Sequence, residues 1–125
     1  VKKKSRASDI RREQKKSFFL QEISALVRQV TAEEPKLSSL FVTRVELSRD
    51  SGICYVYFSS YTDKKAFDEG FETLKLYKPS MRKALAQASK ARYVPNLVFR
   101  YDSSKEKERR ITALLDEIRQ QDDEK

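Results

Sequence analysis

The chain contains three prolines, and each falls where a helical pattern has to stop. Proline fixes its own φ, lacks an amide proton and pushes its predecessor out of helical geometry. Ahead of Pro35, the residues Phe19, Ile23, Leu26, Val27 and Val30 recur at the i, i+3, i+4 spacing of one helix face. That spacing predicts an amphipathic helix, capped by Ser8 or Asp9 and running to about Ala32. Pro79 cuts a second helical pattern in two. Phe67, Phe71 and Leu74 precede it, and Met81, Leu85 and Ala88 continue an apolar face to about Ala91. The expected result is a kink or a second helix start. Pro95 ends that pattern, and Leu97, Phe99 and Tyr101 then alternate as one face of a strand.

Two further strands lie between the first two helices. In the segment 41–48, Phe41, Thr43, Val45 and Leu47 are expected on one face, with Val42, Arg44 and Glu46 on the other. In the segment 53–59, Cys54, Val56 and Phe58 oppose Ile53, Tyr55 and Tyr57. Ser48, Arg49, Asp50, Ser51 and Gly52 supply the turn chemistry that joins them, which makes an antiparallel hairpin. A last amphipathic helix carries Ile111, Leu114, Leu115 and Ile118.

The element order is therefore α-β-β-α-α-β-α. A strand reached through helices can lie parallel to its neighbour, so the second and third strands are candidates for a crossover. This is an α+β pattern, a three-stranded sheet with helices on one face. A length of 125 residues fits one domain. The expected organisation is a flexible basic arm over residues 1–7, a domain over 8–119 and a frayed polar tail over 120–125.

Composition narrows the chemistry. Histidine and tryptophan are absent, and Cys54 is the one cysteine. Without histidine the commonest general base and metal ligand are missing, and a lone cysteine forms no internal disulfide. Cys54 on an inward strand face reads as a small buried hydrophobe. With glycine only at 52 and 70, no Gly-rich phosphate loop is available, and no zinc-ligand spacing occurs. No apolar run reaches membrane-spanning length. These features point away from an enzyme, a cofactor or a metal.

The charge layout points to a polyanion. The net charge is +8, and no acidic residue lies between Glu72 and Asp102. Lys75, Lys78, Arg82, Lys83, Lys90 and Arg92 fall in that stretch. Met81, Leu85 and Ala88 claim the inward face, so these cations are expected to project outward. A second block, Arg11, Arg12, Lys15 and Lys16, lies on the polar face of the first helix. These ten residues are the candidate phosphate contacts, with Arg82 and Arg92 the strongest among them. Tyr77 and Tyr93 flank the basic stretch and are either packing residues or platforms for unpaired bases.

Several ordered segments resemble the ribosome-binding factor A family. Residues 41–50, Phe-Val-Thr-Arg-Val-Glu-Leu-Ser-Arg-Asp, look like that family's first strand and turn, and residues 54–59 follow as its second strand. Residues 82–86 and 92–99 are similar to its late helix and third strand. Asp102-Ser103-Ser104 and residues 110–115 match its closing segment, and Pro35-Lys36-Leu37 fits its first link. The resemblance implies a type II KH-like fold that lacks the GxxG loop of ordinary KH domains. The family has an Ala-x-Gly kink between its central helices, where this chain reads Tyr77-Lys78-Pro79. The resemblance further implies binding to the small ribosomal subunit and its ribosomal RNA near the decoding region during late maturation. Ribosomal RNA processing, cold adaptation, a cytoplasmic setting and a free monomer belong to the same expectation, with an organellar setting left open. The alternatives are a general KH-like RNA-binding or translation-linked module, and a basic protein- or membrane-interaction domain.

Overall fold

A computed structural model describes residues 6–89 and 93–123. Its elements are α1 (Arg6–Glu33), a 3-10 turn (Pro35–Leu37), β1 (Leu40–Leu47), β2 (Ile53–Ser60), α2 (Lys64–Lys75), α3 (Lys78–Ala88), β3 (Asn96–Tyr101) and α4 (Ser104–Asp123). The sheet order is β1-β2-β3. The hairpin pair is antiparallel, and β3 runs parallel to β2 after the crossover through α2 and α3. The fold is the α+β arrangement expected from the element order, and it agrees with the type II KH-like fold that the family resemblance implies.

Strand β1 departs from simple alternation. Its register slips between Val42 and Arg44, where Val42 pairs with Phe58 and Arg44 with Tyr57. Thr43 is the extra residue of a β-bulge, and a bulge reverses which side chains face inward. Leu40, Val45 and Leu47 are buried, whereas Phe41 is only half-buried and its ring stacks on Tyr61 at 4.3 Å. The expected grouping of Phe41 and Thr43 with Val45 and Leu47 is thus corrected. Thr43 turns to Asp102, donating to its Oδ2 at 2.6 Å. Strand β2 has no bulge, and Cys54, Val56 and Phe58 are all fully buried as its alternation predicts. Burial pushes the Cys54 thiol up to about 11, so it stays protonated and unreactive.

The covered face of the sheet meets Phe19, Ile23 and Val27 of α1, Phe67 and Leu74 of α2, and Met81 and Leu85 of α3. Each such side chain contributes roughly 1.5–3 kcal/mol on leaving water. Gly70 lets α2 lie close to the 3-10 turn, since a Cβ there would sit 3.1 Å from the Lys36 carbonyl oxygen. On the open face, Arg44 lies 3.9 Å over the Tyr57 ring and Arg100 4.2 Å over that of Tyr55.

The helix break falls at Leu76 and Tyr77, and Pro79 occupies the first turn of α3, where its missing N–H costs nothing. Three boundaries shift from expectation. Helix α1 already includes Arg6 and Ala7, and α4 continues through residue 123. Helix α3 stops at Ala88, which is exposed, and Ser89 turns to extended backbone. On α4, Ile111, Leu114, Leu115 and Ile118 are 51–58% exposed.

Candidate nucleic-acid interface

The four candidate cations of α1, Arg11, Arg12, Lys15 and Lys16, form two rows at i, i+4 spacing, and the structure sends them to different tasks. Arg12 and Lys16 face the hairpin. Arg12 donates from Nη2 to the carbonyl oxygens of Leu47 at 2.8 Å and Ser48 at 3.2 Å, and from Nη1 to that of Arg49 at 3.2 Å. Lys16 pairs with Glu46 at 3.4 Å. Both were candidate phosphate contacts, yet both are occupied in holding α1 against β1 and its turn. Charge-assisted bonds from one guanidinium to three carbonyls suit a structural clamp. Arg12→Ala is therefore expected to cost about 2 kcal/mol and lower Tm by roughly 5–10 °C. Thermal unfolding checks this; a midpoint within 1–2 °C of wild type (about the surface norm) would assign Arg12 no clamping role.

The turn that Arg12 grips is internally bonded. The Asp50 carboxylate accepts from the Gly52 amide at 2.9 Å and from the Ser48 hydroxyl at 2.8 Å. Those two donors hold its pKa below the ordinary carboxylate value. Ser51 takes the left-handed conformation, φ 59°, which the five-residue link requires.

Arg11 and Lys15, the other row, line an open groove of about 600 Å³ together with Ala88, Ser89, Tyr93 and Pro95. Beyond Tyr93 lies a second groove of about 720 Å³, lined by Lys78, Arg82, Lys83, Asn96 and Leu97. Tyr93 borders both grooves and is 82% exposed. Tyr77, by contrast, packs against the core. Among the described residues, no acidic side chain lines either groove. Cations gathered on concave walls focus a positive potential that draws a phosphate backbone. An exposed ring between them offers a stacking face for a base.

Not every cation in the acid-free stretch is equally free. Arg82 donates to the Val94 carbonyl oxygen at 3.1 Å and so steadies the segment leading into β3. The Lys78 ammonium sits 5.1 Å from the centroid of the buried Phe99 ring. Lys83 is exposed and makes no ion pair among the described residues. Lys75 lines neither groove; it pairs with Glu72 at 3.1 Å and covers the Phe71 ring at 4.8 Å. Lys90 and Arg92 lie outside the described residues. Sequence spacing alone does not reveal that Arg11 and Lys15 join Lys78, Arg82 and Lys83 across Tyr93. That meeting depends on α1 crossing beside α3, a tertiary contact between segments far apart in the chain. Asn96 and Gln14, which add polar groups to the walls, carry no sequence signal either.

The scaffold and this groove define a basic KH-like domain. Comparison with known proteins specifies it further. The family model of ribosome-binding factor A matches residues 11–115. Ribosome-binding factor A of Clostridium tetani is 32% identical over 121 residues, 96% of this chain and 95% of that protein. The chain belongs to the ribosome-binding factor A family. The crystal structure of ribosome-binding factor A from Thermus thermophilus shares the fold, with a TM-score of 0.62 and 21% identity over 72% of this chain and 93% of that one. A homology model of Thermus thermophilus ribosome binding factor A, as fitted into the cryo-EM map of a 30S complex, gives a TM-score of 0.59 at 21% identity, over 71% of this chain and 92% of that one.

Proposed function

We propose that this chain is a non-catalytic ribosome assembly factor that binds the small ribosomal subunit through its ribosomal RNA during late maturation. The observation that carries the reading is the groove pair around Tyr93, acid-free among the described residues, with Arg11 and Lys15 on one side and Lys78, Arg82 and Lys83 on the other. Family membership supports it, as does the Thermus thermophilus relative placed in a 30S complex. The decoding region is the proposed RNA neighbourhood. Support of ribosomal RNA processing and of growth in the cold, in a cytoplasmic setting, completes the proposal.

Binding of this kind rests on phosphate contacts and counterion release, so it weakens with salt. On a sucrose gradient the protein is expected to travel with free small subunits rather than mature ribosomes, and to leave them as ionic strength rises. A flat response between low and physiological salt would remove the electrostatic basis of the proposal. Flotation with anionic liposomes in the absence of RNA binding would favour a membrane-interaction domain.

A further inference from the structure

Helix α4 presents Ile111, Leu114, Leu115 and Ile118 as one stripe, with exposures of 57%, 58%, 51% and 54%. The helix is joined to the body at its first turn. There Tyr101 donates to Glu106, and the Ser104 amide donates to Asp102 Oδ1 at 2.9 Å. Beyond that turn the stripe meets solvent, and soluble monomers rarely leave a contiguous apolar row uncovered. From the geometry we infer that α4 pairs antiparallel with α4 of a second copy of this chain.

The charges beside the stripe select this occupant. Helical periodicity puts Arg110 and Glu117 on one flank, next to Leu114. It puts Glu108 and Arg119 on the other flank, next to Leu115. In a two-fold pair each flank faces its own copy with the direction reversed. Centring the dyad between Leu114 and Leu115 sets Ile111 opposite Ile118 of the partner subunit. The same register brings Arg110 to Glu117 of the partner subunit and Glu108 to Arg119 of the partner subunit. Every flank pair is then of opposite charge, and the two-fold repeats each one. None of these four residues makes an ion pair among the described residues. The antiparallel arrangement also sets each helix dipole against the other's opposite end.

Four half-exposed aliphatic residues from each copy, with their flanks, bury about 1,000 Å² in total, near the lower limit for a specific interface. The dimer is therefore weak, with a Kd on the order of 100 µM. Well below that concentration the chain is the free monomer expected from sequence, and the dimer forms only as concentration rises.

Sedimentation equilibrium of the full chain from low micromolar to about 1 mM, spanning that Kd, tests the pairing. Wild type is expected to pass from monomer to dimer. Arg110→Glu opposes like charges and weakens the dimer about tenfold or more. Arg110→Glu with Glu117→Arg exchanges the signs and restores wild-type association, which non-specific apolar sticking would not do. Leu115→Ser abolishes the dimer, and because the side chain is exposed the thermal midpoint stays in place. A wild-type chain that is monomeric throughout overturns the inference, as does a double variant that fails to recover. Loss of small-subunit binding in Leu115→Ser, with wild type monomeric, would mean that the subunit covers the stripe instead.

Discussion

Arg11→Glu combined with Lys83→Glu is expected to lower affinity for the small ribosomal subunit, the proposed partner, by about a hundredfold or more at physiological salt and to leave folding intact. The pair takes one cation from each side of Tyr93. Both side chains are exposed, and neither makes an ion pair among the described residues. Replacing them should shift stability by less than about 0.5 kcal/mol. On the proposed function each reversal should remove a phosphate contact and add a repulsion, which amounts to about tenfold or more apiece. The slope of log affinity against log salt should also flatten by roughly two contacts' worth. Arg82 is a poorer probe, because its bond to the Val94 carbonyl makes any loss of binding ambiguous between contact and loop position. Filter binding or co-sedimentation across a salt series, with thermal unfolding of the same samples, measures all three quantities. A folded double variant with native affinity would move the RNA surface away from this groove.

What the sequence showed and what it hid follow from the range of each signal. Strand β2 is legible because its period of two runs unbroken from Ile53 to Phe58, so the buried set Cys54, Val56 and Phe58 can be read directly. Strand β1 is not, because a bulge inserts one residue without leaving a compositional mark. Thr43 looks like any other β-branched strand residue. The break near Pro79 is legible since the ring acts on its own backbone, while the break's seat at Leu76 and Tyr77 depends on how Tyr77 packs into the core. The stripe on α4 is visible as periodicity, but periodicity does not say whether anything covers it. The same holds for charge. Spacing separates Arg11 and Lys15 from Arg12 and Lys16, but only the fold shows that one row grips the hairpin and the other lines the groove. Local rules reach as far as the element; the division of labour among equal cations is tertiary.

Asp102 stands where three such elements meet, and its charge should contribute a large share of the stability lost in acid. Its side chain is 9% exposed, and its Oδ2 accepts from the bulged Thr43 hydroxyl at 2.6 Å and lies 3.6 Å from Arg44 Nε. Its Oδ1 accepts from the Ser104 amide at 2.9 Å and from the Ser104 hydroxyl. Its own amide donates to the Phe58 carbonyl oxygen at 2.8 Å, extending the β2–β3 ladder to the start of α4. Burial by itself would raise the carboxyl's pKa. The bonds from Ser104 and Thr43, with the Arg44 charge, outweigh it and hold the group down at about 2. The folded protein thus binds this proton less well than the unfolded chain, whose aspartates titrate near 3.9. The stabilisation is full above about pH 4 and drains away as the pH falls toward 2, and the shift is worth about 2 kcal/mol. Asp102→Asn keeps the size but turns an amide toward Arg44 and the Thr43 hydroxyl. The variant should lose about 2 kcal/mol at pH 7 and far less at pH 2. Asp50, also held ionised by its turn, titrates equally in both proteins and cancels from the difference. Urea denaturation of wild type and variant at pH 7, 4 and 2.5 gives the comparison. A gap between them that stays constant across that range would mean the carboxylate's charge contributes nothing and Asp102 acts only as a neutral hydrogen-bond acceptor.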